Sequence, residues 1–289
     1  MSVTITADQV KKLRDQTGAG MMECKAALVE ANGDFEEATT VLRKRGLASA
    51  AKKAGRATRQ GLVGHWLADD HSAGVLVEVT CETDFVARTA DFRQLVSDVV
   101  GLIRAAGDSA TDEWLRNPTG PVQQRVAAAI GKTGENMSVP RLVRYAGQGF
   151  VEQYIHMGRI GVQVEFAGVT PQVAAREGFT TLVKEIAMQI AAANPQYATR
   201  TAVPADVLEK ERAIYRAQME GQGKPANVID KIVEGKLGSF YAQFVLPDQI
   251  WVRDPKMTVR DMLNATNKAL GVEVMVSRFA RLQVGESGD

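Results

Sequence analysis

The sequence predicts an α+β protein, with a bundle of three short helices at the N-terminus and then a core of two related α/β subdomains on antiparallel sheets, the second carrying an inserted helical hairpin. Three observations predict it. The first fifty residues show helical periodicity interrupted by turn chemistry and no strand pattern. Beyond residue 60 a unit of strands followed by a helix occurs twice. The second copy holds a segment, at about 204–243, that the first lacks. The division that follows is 1–50 for the bundle, 51–59 for a linker, 60–146 for the first core unit and 147–289 for the second. With 45% hydrophobic and 24% charged residues the composition is that of an ordinary globular protein, so the interior is built from side chains alone.

Within the bundle, Thr6-Ala7-Asp8-Gln9 has the spacing of a capping box and starts a helix through Val10 and Leu13. Thr17-Gly18-Ala19-Gly20 ends it. Met21, Met22, Ala26, Leu28 and Val29 belong to a second helix, which Asn32-Gly33 terminates at a position suited to left-handed backbone. Asp34 caps a third, with Glu37 at the reciprocal position. A bundle this small needs support from a partner or from the rest of the chain. Ala50 to Arg59, basic and punctuated by Gly55, reads as the linker.

In the first core unit Gly61-Leu62-Val63 opens a strand, and a turn rich in Asp and Gly leads to Val75, Val77 and Val79 alternating with Leu76, Glu78 and Thr80. Phe92, Leu95, Val96, Val99 and Ile103 then recur at helical spacing. The second unit begins at Gly149-Phe150-Val151 and alternates Ile160, Val162, Val164 and Phe166. Its helix places Phe179, Leu182, Val183 and Ile190 at the relative offsets of Phe92, Leu95, Val96 and Ile103. Met137 to Tyr145 and Val272 to Val284 are the closing strands. In the insertion one helix carries Val207, Leu208, Ile214 and Tyr215, Gly221 and Gly223 end it, and Pro225 opens a second helix. The apolar stripe of that second helix, Ile229, Ile232, Val233, Leu237, Phe240 and Phe244, packs within the chain, on another copy or on a partner.

Charge and cysteine content narrow the function. Thirty-five basic residues against thirty-four acidic give a formal net charge of +1, which argues against a whole-surface affinity for nucleic acid or anionic membrane. Cys24 and Cys81 form no C-x-x-C pair and read as buried thiols. The N-terminus lacks a signal-peptide pattern and no apolar run approaches a membrane span, so the expectation is a soluble cytoplasmic protein.

Several fragments invite a chemical reading. Gly131-Lys132-Thr133 resembles the end of a phosphate-binding loop, but Val126 stands where its first glycine belongs and the triplet ends a helical run. His65, Asp69, Asp70 and His71 lie in and beside a hairpin turn, where Asp serves the backbone, so neither a metal site nor a cofactor is expected. Arg43, Lys44, Arg45, Lys52, Lys53, Arg56 and Arg59 form the strongest charge cluster but lack interleaved aromatics. Met21 and Met22, being adjacent, cannot both face inward on a helix. Thr83-Asp84-Phe85-Val86 has the local chemistry of a helix cap followed by an aromatic packed on the helix it precedes.

Four segments, Thr17 to Leu28, Ala31 to Asp34, Ala50 to Gly55 and Glu82 to Ala87, together with His156 and Arg159-Ile160-Gly161-Val162, resemble in order and spacing the pattern of the elongation factor Ts family. That resemblance implies a ubiquitin-associated-like N-terminal domain, and guanine-nucleotide exchange on the translation GTPase elongation factor Tu with no catalytic chemistry of its own. It also implies that Thr83, Asp84, Phe85 and Val86 form the wedge that enters the GTPase near its magnesium site. By the same resemblance Arg14, Met21, Met22 and Lys53 face the GTP-binding domain and His156 the partner's other end. Some members of the family continue into a further C-terminal helix and some dimerise through the hairpin, so the contact beyond Gly285 and a homodimer are both open. The competing reading is a nucleic-acid or ribosome-associated protein that uses the basic linker.

Overall fold

The computed structural model describes residues 4–147, 149–219 and 225–286. Helices α1 (Ala7–Thr17), α2 (Met21–Glu30) and α3 (Phe35–Lys53) form the bundle around Val10, Leu13, Cys24, Ala27, Leu28, Ala31 and Ala38. The Thr6 and Gln9 side chains cap each other's backbone N–H groups as the sequence predicts. Asn32 and Gly33 both have positive φ, and Gly33 N donates to Leu28 O at 2.8 Å, which turns the chain into α3. At that helix Asp34 accepts from Glu37 N.

The expected linker is corrected at its start: Ala51, Lys52 and Lys53 are the last turn of α3, and only 54–59 cross to the core. The helix continues because it has a surface to lie on. Gly46 faces the backbone of a core helix, Pro121–Thr133, so closely that a β-carbon there would stand 3.2 Å from the Ala127 carbonyl oxygen, and Ala50 packs against the first core. The small bundle therefore leans on the rest of its own chain.

The first unit runs β1 (Gln60–Leu67), β2 (Ala73–Cys81), α4 (Asp84–Ala87), α5 (Ala90–Ala106), α6 (Asp112–Arg116), α7 (Pro121–Thr133) and β3 (Met137–Ala146). The second runs β4 (Phe150–His156), β5 (Ile160–Ala167), α8 (Pro171–Ala174), α9 (Glu177–Ala193), α10 (Ala205–Ala217), α11 (Ala226–Phe244), β6 (Ile250–Trp251), β7 (Asp254–Thr258), α12 (Val259–Leu270) and β8 (Met275–Gln283). Both main sheets are antiparallel and three-stranded, in the orders β1-β2-β3 and β4-β5-β8, and each is covered by its long helix, α5 or α9. The fold is thus mixed helix and small antiparallel sheet. The β6–β7 hairpin and α12 add to what the sequence pattern predicts.

The alternation in β2 separates two environments, both of them buried. Val75, Val77 and Val79 join the core under α5 and α7, whereas Leu76 points the other way and packs with Val63, Leu282 and Val284 where the two units meet. Polar members of the same face are satisfied there: Glu78 accepts from Arg141 Nε at 2.7 Å and from Gly285 N at 2.9 Å, and Thr80 shares a hydroxyl cluster with Thr58 and Ser138. Gly161 permits the approach, since a β-carbon there would stand 2.6 Å from Val63.

In the inserted hairpin Val233, Leu237 and Phe240 of α11 are buried, with Phe240 clustered on Val203 and Val245 beside Val207 and Leu208. Arg216–Asp230 and Arg212–Glu234 ion pairs, 3.2 and 3.6 Å, tie α10 to α11. Half of the stripe is thus buried within the chain, while Ile229, Ile232 and Phe244 are half-buried. Gly221 and Gly223, the expected end of α10, lie outside the described residues, as do Met1 to Val3 and Ser287 to Asp289.

Candidate functional site

The β2 strand ends at Cys81, and the chain turns at once into the four-residue helix α4. Thr83 caps it, its hydroxyl oxygen accepting from Val86 N at 3.3 Å, and Val86 packs on the first core. The sequence reading that Phe85 packs against the following helix is overturned: Phe85 is 81% exposed, while Phe92 on α5 fills the core position. Asp84 pairs with Arg88 one turn on, at 3.0 Å, with both side chains well exposed. Such a pair is worth at most about 1 kcal/mol and is readily exchanged for a better partner.

The internal repeat supplies a control within the molecule. Thr170 caps α8 through Val173 N as Thr83 caps α4, Val173 is buried in its core, and Phe179 follows at the spacing of Phe92. At the place of Phe85 the second copy carries Gln172, also exposed. The unit therefore folds with a polar residue at that site, and the exposed phenylalanine satisfies no requirement of the fold.

The base of α4 is held from several sides. Thr83 N and its hydroxyl both donate to the Glu135 carboxylate, at 3.0 and 2.6 Å. Asn136 N donates to Glu82 Oε1 at 2.6 Å, and the Asn136 side-chain amide donates to the Arg56 carbonyl at 2.7 Å. The Asn136 N–H, opposed by some desolvation and aided by Arg56, holds the Glu82 carboxyl below its ordinary range. The Cys81 thiol donates to Thr83 O at 3.2 Å; burial first, and then the charge of Glu135, pushes it up to about 12.

Arg159 brings the second unit to the same place. The β4–β5 turn passes through Met157 and Gly158, both at positive φ, and Gly158 O accepts from Val63 N at 2.8 Å. Arg159 Nη1 donates to Gln60 Oε1 at 2.7 Å. Gln60, Glu82, Thr83, Asp84, Phe85, Arg88 and Arg159 then line one open, shallow cleft of about 440 Å³. His156, at the end of β4, is exposed and hydrogen-bonds through Nδ1 to Tyr154 OH at 3.0 Å.

The remaining predicted residues fall elsewhere. Met21 and Met22 begin α2 at 45% and 75% exposure, and Arg14 is exposed in the last turn of α1. No hydrogen bond or ion pair joins these three to α4 among the described residues, but the α1–α2 turn approaches α7, Gly18 lying against Lys132. Lys53 bonds Ser49 at 3.0 Å near the Glu82 carboxylate. Gly131 to Thr133 are the last turn of α7, so no phosphate-binding loop forms there. Asp70 accepts from Ser72 and His71 stacks on Phe150, as turn residues do, and the described residues contain no group of three or more His, Cys, Asp or Glu placed to hold a metal. In the basic cluster Arg45 pairs with Glu30 and Arg56 with Glu82. No described helix is long and apolar enough to cross a membrane.

Local chemistry alone missed Glu135, Asn136, Met157 and the contrast of Phe85 with Gln172. That contrast was available from aligning the two copies through their short helices, Thr83 on Thr170.

Residues 82–286 match the family model described as Elongation factor TS. The chain is 42% identical over 291 residues to elongation factor Ts of Trichlorobacter lovleyi, covering 98% of this chain and 94% of that protein. It is 42% identical over 291 residues to the Clostridium tetani elongation factor Ts, with the same coverage. Against that of Clostridium acetobutylicum identity is 40% over 290 residues, with 98% and 93% covered. A match over most of the chain and relatives at this identity along its length leave one conclusion: the chain belongs to the elongation factor Ts family.

Proposed function

We propose that this chain is the guanine-nucleotide exchange factor of translation elongation, binding elongation factor Tu and releasing its GDP, and that it performs no chemical step of its own. The observation that carries the site is the exposed Phe85, presented on a capped helix whose counterpart in the second unit bears Gln172. GDP is held in a GTPase chiefly by contacts to its phosphates and the associated Mg²⁺, so an intruding aromatic and carboxylate that displace ion and cradle remove the strongest contacts. Phe85 supplies the apolar group and Asp84, released from Arg88, the charge.

Magnitudes require more than the wedge. A thousandfold loss of GDP affinity corresponds to about 4 kcal/mol, whereas burying one aromatic side chain contributes about 1.5–3 kcal/mol. By linkage the factor loses as much affinity for the GDP-bound GTPase as GDP loses for the complex. A broad interface must supply the difference, and Arg14, Met21, Met22 and Lys53 on the ubiquitin-associated-like bundle, with His156 on the second unit, are its proposed members. In this division the bundle, the linker and the two core units, 60–146 and 147–289, act together in the cytoplasm. A second copy docking on the hairpin would meet Ile214 and Val228, its exposed apolar pair.

The test is release of a fluorescent GDP analogue from loaded elongation factor Tu on addition of the chain. Acceleration over spontaneous release is expected; its absence refutes the reading.

A further inference from the structure

Seen from α4, the turn between α7 and β3 is a clasp. Two consecutive residues, Glu82 and Thr83, meet two consecutive residues, Glu135 and Asn136, in reciprocal fashion: Thr83 gives both of its donors to the Glu135 carboxylate, and Asn136 N gives its proton to Glu82. Asn136 is buried, and its side chain also fixes the Arg56 carbonyl of the segment arriving from the bundle. Hydrogen bonds to an ionised acceptor are roughly twice as strong as neutral ones, so this is the firmest attachment α4 has after the strand register ends at Cys81.

The second unit shows that the fold does not need it. There the helix before the closing strand, α12, ends at Gly271 as α7 ends at Gly134, and the next residue is Val272 where the first unit has Glu135. Val272 packs into the second core, and among the described residues Thr170 makes its cap to Val173 N with no carboxylate partner. The same short helix thus forms without a clasp. The clasp occurs in the copy that carries the exposed phenylalanine.

We propose that Glu135 is a positioning residue for exchange: it holds α4 rigid, so that binding energy deforms the GTPase instead of the factor. The inference rests on the exchange reading above. An insert that yields on contact wastes interface energy on its own rearrangement, so loosening its base lowers the rate of release from the bound complex more than it lowers binding.

The experiment measures release of the fluorescent GDP analogue at increasing concentrations of the full chain, for wild type, Glu135→Ala, Glu135→Gln, Phe85→Gln and the Glu135→Ala/Phe85→Gln double variant, alongside thermal unfolding of each. Glu135→Ala is expected to lower the maximal release rate about tenfold or more, since it removes both charge-assisted hydrogen bonds from Thr83 and one alone corresponds to about that factor, with the half-saturating concentration nearly unchanged. Glu135→Gln keeps an acceptor for Thr83 N and is expected to recover part of the rate. Because the clasp acts through α4, which carries Phe85 and Asp84, the double variant is expected to lose less than the product of the two single losses. Full activity in Glu135→Ala overturns the inference, as does a further multiplicative loss in the double variant or a loss that Tm and folded fraction account for. If wild type itself fails to accelerate release, the exchange reading falls first and takes this inference with it.

Discussion

Phe85 and Gln172 occupy one position in two copies of one unit, the second residue of the short helix after the central strand, and both are exposed to solvent. The local frame repeats around them: the threonine cap, the valine next in sequence packed on the core and the core phenylalanine seven residues on. Packing accounts for the shared positions. It leaves unaccounted for the one exposed aromatic that the second copy lacks, the residue to which the proposed exchange role assigns partner contact.

Exchanging Phe85 for its counterpart tests this without damaging the fold. Phe85→Gln is expected to leave stability within about 0.5 kcal/mol, as surface substitutions do, and to slow release of the GDP analogue severalfold or more. Urea unfolding and stopped-flow fluorescence on one preparation check both. A large loss of stability with normal exchange per folded molecule would return Phe85 to a packing role.

Met157 makes a related case on the second unit. It is 84% exposed, at φ 51°, in a turn where glycine is the unstrained residue. Relief of left-handed strain of about 1 kcal/mol, offset in part by the unfolded-state entropy of glycine, makes Met157→Gly neutral or slightly stabilising in thermal unfolding. The same change is expected to weaken binding to nucleotide-free elongation factor Tu, measured by calorimetry, because it deletes an exposed apolar group beside His156. Unchanged affinity would remove Met157 from the interface.

Periodicity made the helices of the bundle, both sheets and the hairpin legible, because spacing alone decides which face of Val10-Leu13 or Val162-Val164 is buried. It also made Phe85 look ordinary: a cap followed by an aromatic is the same string whether the ring points in or out. Exposure is a property of the assembled unit, set here by Phe92 already filling the core place. The burial of Glu78 and Thr80 was illegible for a similar reason, since a strand covered on both sides keeps its polar alternation only if the neighbouring strand brings Arg141 and the second unit brings Gly285 to meet it. Contacts such as Thr83 to Glu135 span 52 residues, beyond any local pattern.

Cys81 should be unreactive despite its place beneath the exposed α4. Burial and the Glu135 charge raise its thiol to about 12, so only a minute fraction is thiolate at pH 8, and thiolate is the reactive form. Native protein treated with iodoacetamide at pH 8 is expected to show no labelling of Cys81 by mass spectrometry, and full labelling in denaturant. Prompt labelling of the native chain would mean that α4 opens readily from its base.

Asp248 gives a pH dependence with a definite sign. Burial pushes its carboxyl up, but hydrogen bonds from Arg200 and Arg260, reinforced by their charges, outweigh this and leave it below the ordinary aspartate value of 3.8. The geometry agrees, with Arg200 at 2.6 and 2.8 Å and Arg260 at 2.9 Å from a side chain only 10% exposed. A carboxyl depressed in the folded state binds fewer protons there than in the unfolded chain, so stability rises with pH across the window between the two values. The contribution is complete above 3.8 and is lost as pH falls through the folded value. Asp248→Asn is therefore expected to cost about 1.5–3 kcal/mol at pH 7, the range for hydrogen bonds to a charged group. In paired urea titrations the gap between wild type and variant should begin to close as the pH is taken below 3.8 and disappear once it is under the depressed folded value, where both chains carry a neutral side chain. A gap that stays constant from pH 7 into that range would show that the two arginines hold Asp248 by shape, with no contribution from its charge.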